Sequence, residues 1–338
     1  PALIGAERAG VALVAAYPVF LGEPENGEEL VEFGWNDLQN FGELRPYEAP
    51  GPSRLNPVFE RVRQAEIAAL GDLARLDVDR VCLTHVGFPS SRTDFSEEAR
   101  RAFETSVGQT LRVWPDDVMS YEMGPEGDPR PARGPFWDAW VRWRAQLLRD
   151  FLFAADTEIE TTRLEMEQPA PELALMVEGY YPVHYEQGVN WATPLADVRE
   201  VFPNAPANYA STSAIRVFDG VGLEFFAPLA NLRAALDEEL PWWASMDGAV
   251  GVANRVTEAR TTMRVALSPM AYAHESGALN EAGRADFQQA AMLAMLQSVD
   301  AAPLVVDIRM IEAWDLWAEL ESARRSAAAE RVRRRQEE

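Results

Sequence analysis

Two glutamates stand where acid/base chemistry would want them. Glu178 follows an apolar run in LALMVEGYYPVHYEQGVNW (residues 173–191), and Glu224 follows another in GVGLEFFAPLAN (residues 220–231). A carboxyl group at the end of an apolar strand is partly desolvated, which raises its pKa toward the range of a general acid. As a pair, one glutamate would protonate a leaving group and the other would act as nucleophile or base. Tyr180, Tyr181, His184 and Trp191 follow Glu178 closely. Their rings would make a floor for the C–H faces of a pyranose ring, and Asn231 could hydrogen-bond a hydroxyl. His85 ends another apolar run, and Tyr272, His274 and Glu275 lie just beyond a further one. Each has a structural alternative: a salt-bridged strand-end glutamate, an inward acid paired with an arginine, a rim histidine, a solvated loop.

Nothing in the chain calls for a metal or an organic cofactor. Three histidines and one cysteine, widely spaced, lack the spacing of a zinc site, and no Gly-rich phosphate loop is present. Cys82, inside VCLTHVGF, reads as a buried and inert thiol. The formal net charge of −23 over 338 residues repels nucleic-acid backbones and anionic membrane surfaces. No apolar stretch approaches the roughly 20 residues that cross a bilayer, so neither nucleic acid nor membrane insertion is expected. The basic cluster Arg331, Arg333, Arg334 and Arg335 reads as an exposed helix end fraying into a tail. The chain opens on Pro1 rather than Met, so processing or removal from something longer is expected. Ten tryptophans lean toward a carbohydrate ligand, with Trp35, Trp242 and Trp243 as further stacking platforms.

These residues need a scaffold, and the apolar pattern describes one. Strand-length apolar runs fall at residues 11–20, 81–88, 173–181, 215–228, 263–270 and 303–308. They are nearly continuous rather than alternating, as expected of parallel strands covered on both faces. Helices are predicted between them: residues 56–76 with Asn56 as cap and Pro57 at the first position, then 136–155, 280–300 and 311–325. The segments 21–52 and 90–133 read as long loops after strand ends. The pattern is that of an α/β fold, a (β/α)8-type TIM barrel, with residues 1–320 as a single barrel domain and 321–338 as a basic C-terminal helix or tail. Six strands are two short of eight. Either the chain begins after the usual first βα units, or short strands are hidden in the loops.

One stretch is more specific. RLNPVFERVRQAEIAALGDLARLDVDRVCLTHVGFP is followed by DFSEEARRAFETSVG and later by FWDAWVRWRAQLL. It resembles the bacterial glycoside hydrolase-like TIM barrels, a group of hypothetical glycosyl hydrolases distantly allied to the α-amylase clan. In that family a helix opening with D/N-P leads to a strand ending in an acid-Tyr-x-Arg-Tyr-Pro pattern, then a D-F-S segment and a W-x-x-W-R helix. The matching residues are Asn56-Pro57, Asp79, Leu83, Phe88-Pro89, Asp94-Phe95-Ser96, Trp140 and Trp143-Arg144. The family's acid falls on Thr84, its Tyr on His85 and its Arg on Gly87.

The resemblance implies a carbohydrate-active barrel acting on a bacterial polysaccharide and found outside the cell or in its envelope, although the sequence is also consistent with a cytoplasmic location. Thr84 cannot stabilise an oxocarbenium ion as a carboxylate would. Two readings follow: Glu178 and Glu224 carry the chemistry, with Thr84 among the substrate contacts, or the barrel binds glycan or a partner protein without cleaving it.

Overall fold

The computed structural model describes residues 14–22, 33–34, 45–46, 53–127, 129–178, 186–191, 198–200, 222–226, 245–257, 263–267, 272–273, 279–297, 304–305 and 308–337. The chain divides into two compact units, residues 1–173 with 182–216, and residues 174–181 with 217–338.

The first unit is built on a parallel strand pair joined through a helix. β1 (Val14–Pro18) is followed by the short β2 (Leu21–Gly22), β3 (Phe33–Gly34), β4 (Arg45–Pro46) and β5 (Ser53–Arg54), then by α1 (Glu60–Ala74) and β6 (Arg80–Thr84). β1 and β6 run parallel from Val14↔Arg80 to Pro18↔Thr84, and β2 pairs antiparallel with β5. Val81, Cys82 and Leu83 are fully buried, as a near-continuous apolar strand requires, and Cys82 lies in the interior as its surroundings predict.

α1 presents Val62, Glu66, Ile67, Leu70, Gly71 and Ala74 inward, the i, i+4 stripe of a half-buried helix. Gly71 permits close approach: a Cβ there would lie 2.9 Å from Glu158 Oε1. The helix begins three residues later than its cap signal predicts, at Glu60. Asn56 makes the local bond, its Oδ1 accepting Val58 N–H at 2.9 Å, but its Nδ2 is tied to Asp94 Oδ2 at 2.5 Å.

The segment 90–133 is not the loop its composition suggested. It holds α2 (Glu97–Val107) and an antiparallel hairpin, β7 (Met119–Met123) with β8 (Pro129–Arg133). Ser96 caps α2 by accepting Ala99 N–H at 3.2 Å, and Glu97 and Glu98 fill its first turn, where the helix dipole favours acids. The next helix, α3 (Trp137–Glu165), runs 29 residues, ten beyond the predicted end. Ile159, Thr162 and Arg163 continue its buried face. Arg163 Nε donates to Pro169 O at 2.9 Å and Nη2 to Val78 O at 3.4 Å.

The second unit carries further parallel strands. They are β9 (Glu172–Glu178, whose first two residues belong to the first unit), β10 (Gly222–Phe226), β11 (Met263–Leu267) and β12 (Leu304–Val305). Each pairs with the next in sequence. α4 (Met246–Val256) separates β10 from β11, and α5 (Glu281–Gln297) separates β11 from β12. Ser245 caps α4 through Gly248 N–H at 3.0 Å, and Asn280 caps α5 through Gly283 N–H at 2.8 Å.

The predicted helix 311–325 is two elements, α6 (Ile308–Ala313) and α7 (Trp317–Glu337). Phe287, Ile311 and Leu316 form a buried cluster at their junction. Arg284 fastens it by donating to Asp315 O at 3.2 Å, to Glu319 Oε1 at 2.8 Å and to Trp314 O. α7 does not fray at its basic end: the helix continues to Glu337, and Arg331 Nη2 donates to Met295 O at 2.5 Å. Its buried residues are Ala323 and Ala327, while α5 buries Ala290, Ala291 and Ala294.

The protein is thus a mixed α/β structure whose predicted strands all occur as parallel strands. Among the described residues, no strand pairing closes a barrel. No described helix is long and apolar enough to cross a membrane.

Candidate functional site

The residues that carry the family resemblance form one interlocked frame in the first unit. Asp94 is fully buried. It accepts from Asn56 Nδ2, from Ser96 N–H at 3.1 Å and from Ser96 Oγ at 2.8 Å. Phe95 stacks on Trp140 at 5.6 Å, and Trp140 also meets Phe103 at 5.1 Å, Trp114 at 5.4 Å and Trp143 at 4.8 Å. Arg144, wholly buried, lies over the Phe88 ring at 4.1 Å and donates to Ser90 O at 2.9 Å. A buried cation over an aromatic face contributes about 2 kcal/mol. Asp94, Phe95, Trp140 and Arg144 therefore act as scaffold, holding the chain that leaves β6.

That chain carries Thr84 and His85. Thr84 is half-buried and His85 exposed, and Thr84 Oγ1 lies 2.9 Å from His85 Nδ1. His85 adopts a left-handed backbone with φ 60°, unusual for a residue with a side chain and a mark of local strain. Arg54 Nη2 donates to His85 O at 3.0 Å and also to Gly87 O. Although His85 keeps much of its surface in solvent, partial burial of the ring, and after it the Arg54 charge, hold the imidazole below its ordinary value.

Beneath this corner Glu66 reaches up from α1. It is 6% exposed, and its carboxylate accepts the Tyr17 hydroxyl and the Phe20 N–H, each at 2.8 Å. Burial pushes the Glu66 carboxyl up, and the two hydrogen bonds and Arg54 pull against it. Tyr17 is also pushed up, by burial first and by Glu66 second. Neither Arg54 nor Glu66 stands out in the sequence as a site residue. Arg54 acts on carbonyls 31 and 33 residues away, and Glu66 sits in an ordinary helical pattern.

The remaining predicted residues fall in other places. Trp191 belongs to the first unit and is fully buried beside Val189 and Asn190, an interior position in this structure. In the second unit, Glu178 is the last residue of β9 and Glu224 the middle residue of β10. Glu178 pairs with Phe226 and Glu224 with Met176. Positions 178 and 224 thus share one face of two adjacent parallel strands, with 224 one pleat deeper than its strand-end pattern suggested. Tyr272 packs edge-on against Phe287 at 5.9 Å. Its hydroxyl has no partner among the described residues and is pushed up by burial and then by Asp286. Tyr180, Tyr181, His184, Asn231, His274 and Glu275 lie outside the described residues, as do Trp35, Trp242 and Trp243. A groove of about 500 Å³ between α5 and α7 is lined by Met292, Leu293, Leu296 and Arg333 among others. None of the predicted site residues lines it.

No protein-family model matches the chain. An S-layer-related protein of Niallia circulans is 26% identical over 144 residues, which is 41% of this chain and 8% of that protein. The match therefore touches a small part of a much longer relative. Among solved structures, the catalytic domain of β-amylase from Paenibacillus polymyxa is similar with a TM-score of 0.47 at 10% identity, over 93% of this chain and 84% of that one.

Proposed function

We propose that this chain is a carbohydrate-active module of the cell envelope, built on a (β/α)8-type barrel plan and acting on a bacterial polysaccharide. Glu178 and Glu224 are its acid/base pair. The observation that carries this reading is the register of β9 and β10, which puts both positions on one face of neighbouring parallel strands. With strands about 4.8 Å apart and two residues of offset along the strand, their backbones are about 8 Å apart. Glutamate side chains rooted at that spacing can serve a retaining pair near 5 Å or an inverting pair at roughly 6.5–9.5 Å. The scaffold role of Asn56, Asp94, Trp140 and Arg144 agrees with the family resemblance. The relative described as S-layer-related supports the envelope location.

A second reading has its own observation. The end of β6, where the resembling family keeps an acid, carries Thr84 in contact with the His85 imidazole. A barrel with this corner would bind glycan without cutting it. Hydrolysis of a panel of bacterial exopolysaccharides and cell-wall glycans separates the two. Wild-type turnover that falls by at least about 100-fold in Glu178→Gln and in Glu224→Gln, the scale of a lost acid/base group, supports the hydrolase. Glycan binding with no turnover by any form supports the binding module.

A further inference from the structure

The carboxyl ends of β1 and β6 lie side by side, since Pro18 pairs with Thr84 and Val19 N–H donates to Thr84 O at 3.1 Å. Each is followed by a non-glycine residue in the left-handed region, Phe20 with φ 58° and His85 with φ 60°. One short strap holds both turns. Leu55 N–H donates to Phe20 O at 2.8 Å, while the preceding residue, Arg54, donates from Nη2 to the carbonyls of His85 and Gly87. Side chains at left-handed positions persist only when their surroundings over-determine them, and here the guanidinium supplies that restraint.

The restraint gives His85 a direction. Its Nδ1 is occupied by Thr84 Oγ1 at 2.9 Å, its Nε2 meets no partner among the described residues, and the residue is exposed. In open α/β sheets, ligands bind beyond the carboxyl ends of parallel strands, which is where this imidazole stands.

We propose that Arg54 is a positioning residue that fixes the His85 turn and aims Nε2 of the imidazole outward as a hydrogen-bonding contact for an uncharged, hydroxyl-rich ligand. The class of ligand rests on the glycan reading, whereas the positioning does not. Among the described residues, the charge acting on the His85 ring is Arg54 from β5, which in turn acts on Glu66 of α1, itself bonded to Tyr17 of β1. Arg54 opposes protonation of the ring, which partial burial already disfavours.

The test is a pH titration of the full chain followed by long-range ¹H–¹⁵N NMR of its three histidines, with His85 assigned by His85→Gln. In the wild type, His85 titrates below an ordinary histidine and its Nδ1 shift reports the contact with Thr84. Arg54→Gln removes both the charge and the fork, so the midpoint rises and the Nδ1 signature is lost. Arg54→Lys keeps a charge but not the planar fork, so it too loses the Nδ1 signature. Loss of that signature in either variant, with the amide spectrum still that of a folded chain, supports the assignment. Its retention in both overturns it. No glycan enters the measurement, so failure of the positioning role and failure of the carbohydrate reading are seen separately.

Discussion

Removing the acceptor from the Glu66 clamp should cost measurable stability, with a pH dependence of definite sign. In Glu66→Gln one carbonyl oxygen remains for two donors, the Tyr17 hydroxyl and the Phe20 N–H. One donor is then left facing the new amide N–H₂ in a site only 6% exposed. A buried donor without a partner costs about 1–3 kcal/mol, which is the expected loss. Burial raises the Glu66 carboxyl in the folded chain, so the folded state binds this proton more tightly than the unfolded state does. Stability contributed by the group is therefore fully present below the ordinary value of 4.5 and declines as pH rises through the folded value. The gap between wild type and Glu66→Gln should be widest at acid pH and narrow toward neutrality. Urea unfolding from pH 4 to 8, followed by tryptophan fluorescence, measures it, because Trp114 and Trp140 report on the same unit. A cycle with Tyr17→Phe should show coupling of about 1 kcal/mol between the two contacting residues. Equal pH dependence in wild type and variant, with no coupling in the cycle, would refute the clamp.

Two further substitutions test the frame. Ser96→Ala removes the cap of α2 and a hydrogen bond to buried Asp94, and it should lower the unfolding free energy by about 1–2 kcal/mol in the same assay. Gly188→Ala meets a backbone at φ 83°, and its new Cβ would lie 3.0 Å from Leu148 Cδ1 and 3.2 Å from the Arg144 carbonyl carbon. A loss of about 1–2 kcal/mol is expected from the left-handed backbone alone, whereas a neutral result would show that the loop after β9 is free to rearrange.

The strands were legible because burial on both faces demands continuous apolar runs, and every such run contains a parallel strand. Helix ends were less so. Asn56-Pro57 looks like a local cap, but the Asn56 side chain is drawn to Asp94, 38 residues on, and local pattern does not encode that partner. α3 runs on past residue 155 through Thr157, Thr161 and Thr162, residues of weak helix propensity, because burial of Ile159 and Arg163 overrides it. The β7–β8 hairpin has no apolar alternation in PRPAR, so the segment that holds it reads as a loop. Of the proposed pair, both glutamates follow apolar runs that are strands, and Glu224 lies within its strand rather than at the end. Arg54 was invisible because what it holds are main-chain carbonyls.

The small side chains that α7 buries set how the second unit should come apart. α7 spans 21 residues, yet the side chains it fully buries are the methyl groups of Ala323 and Ala327, with Leu320 partly buried against the Phe287–Ile311–Leu316 cluster. Each buried methyl returns under about 1 kcal/mol, and the surface Glu–Arg pairs at Glu321 and Glu330 add little and are weakened by salt. Held otherwise through Arg284 to Glu319 and through Arg331 to Met295 O, such a helix is expected to open as a cooperative segment below the free energy of global unfolding. In native-state hydrogen exchange its amides would form a separate, salt-sensitive foldon, lifting away while α5 keeps its own protection.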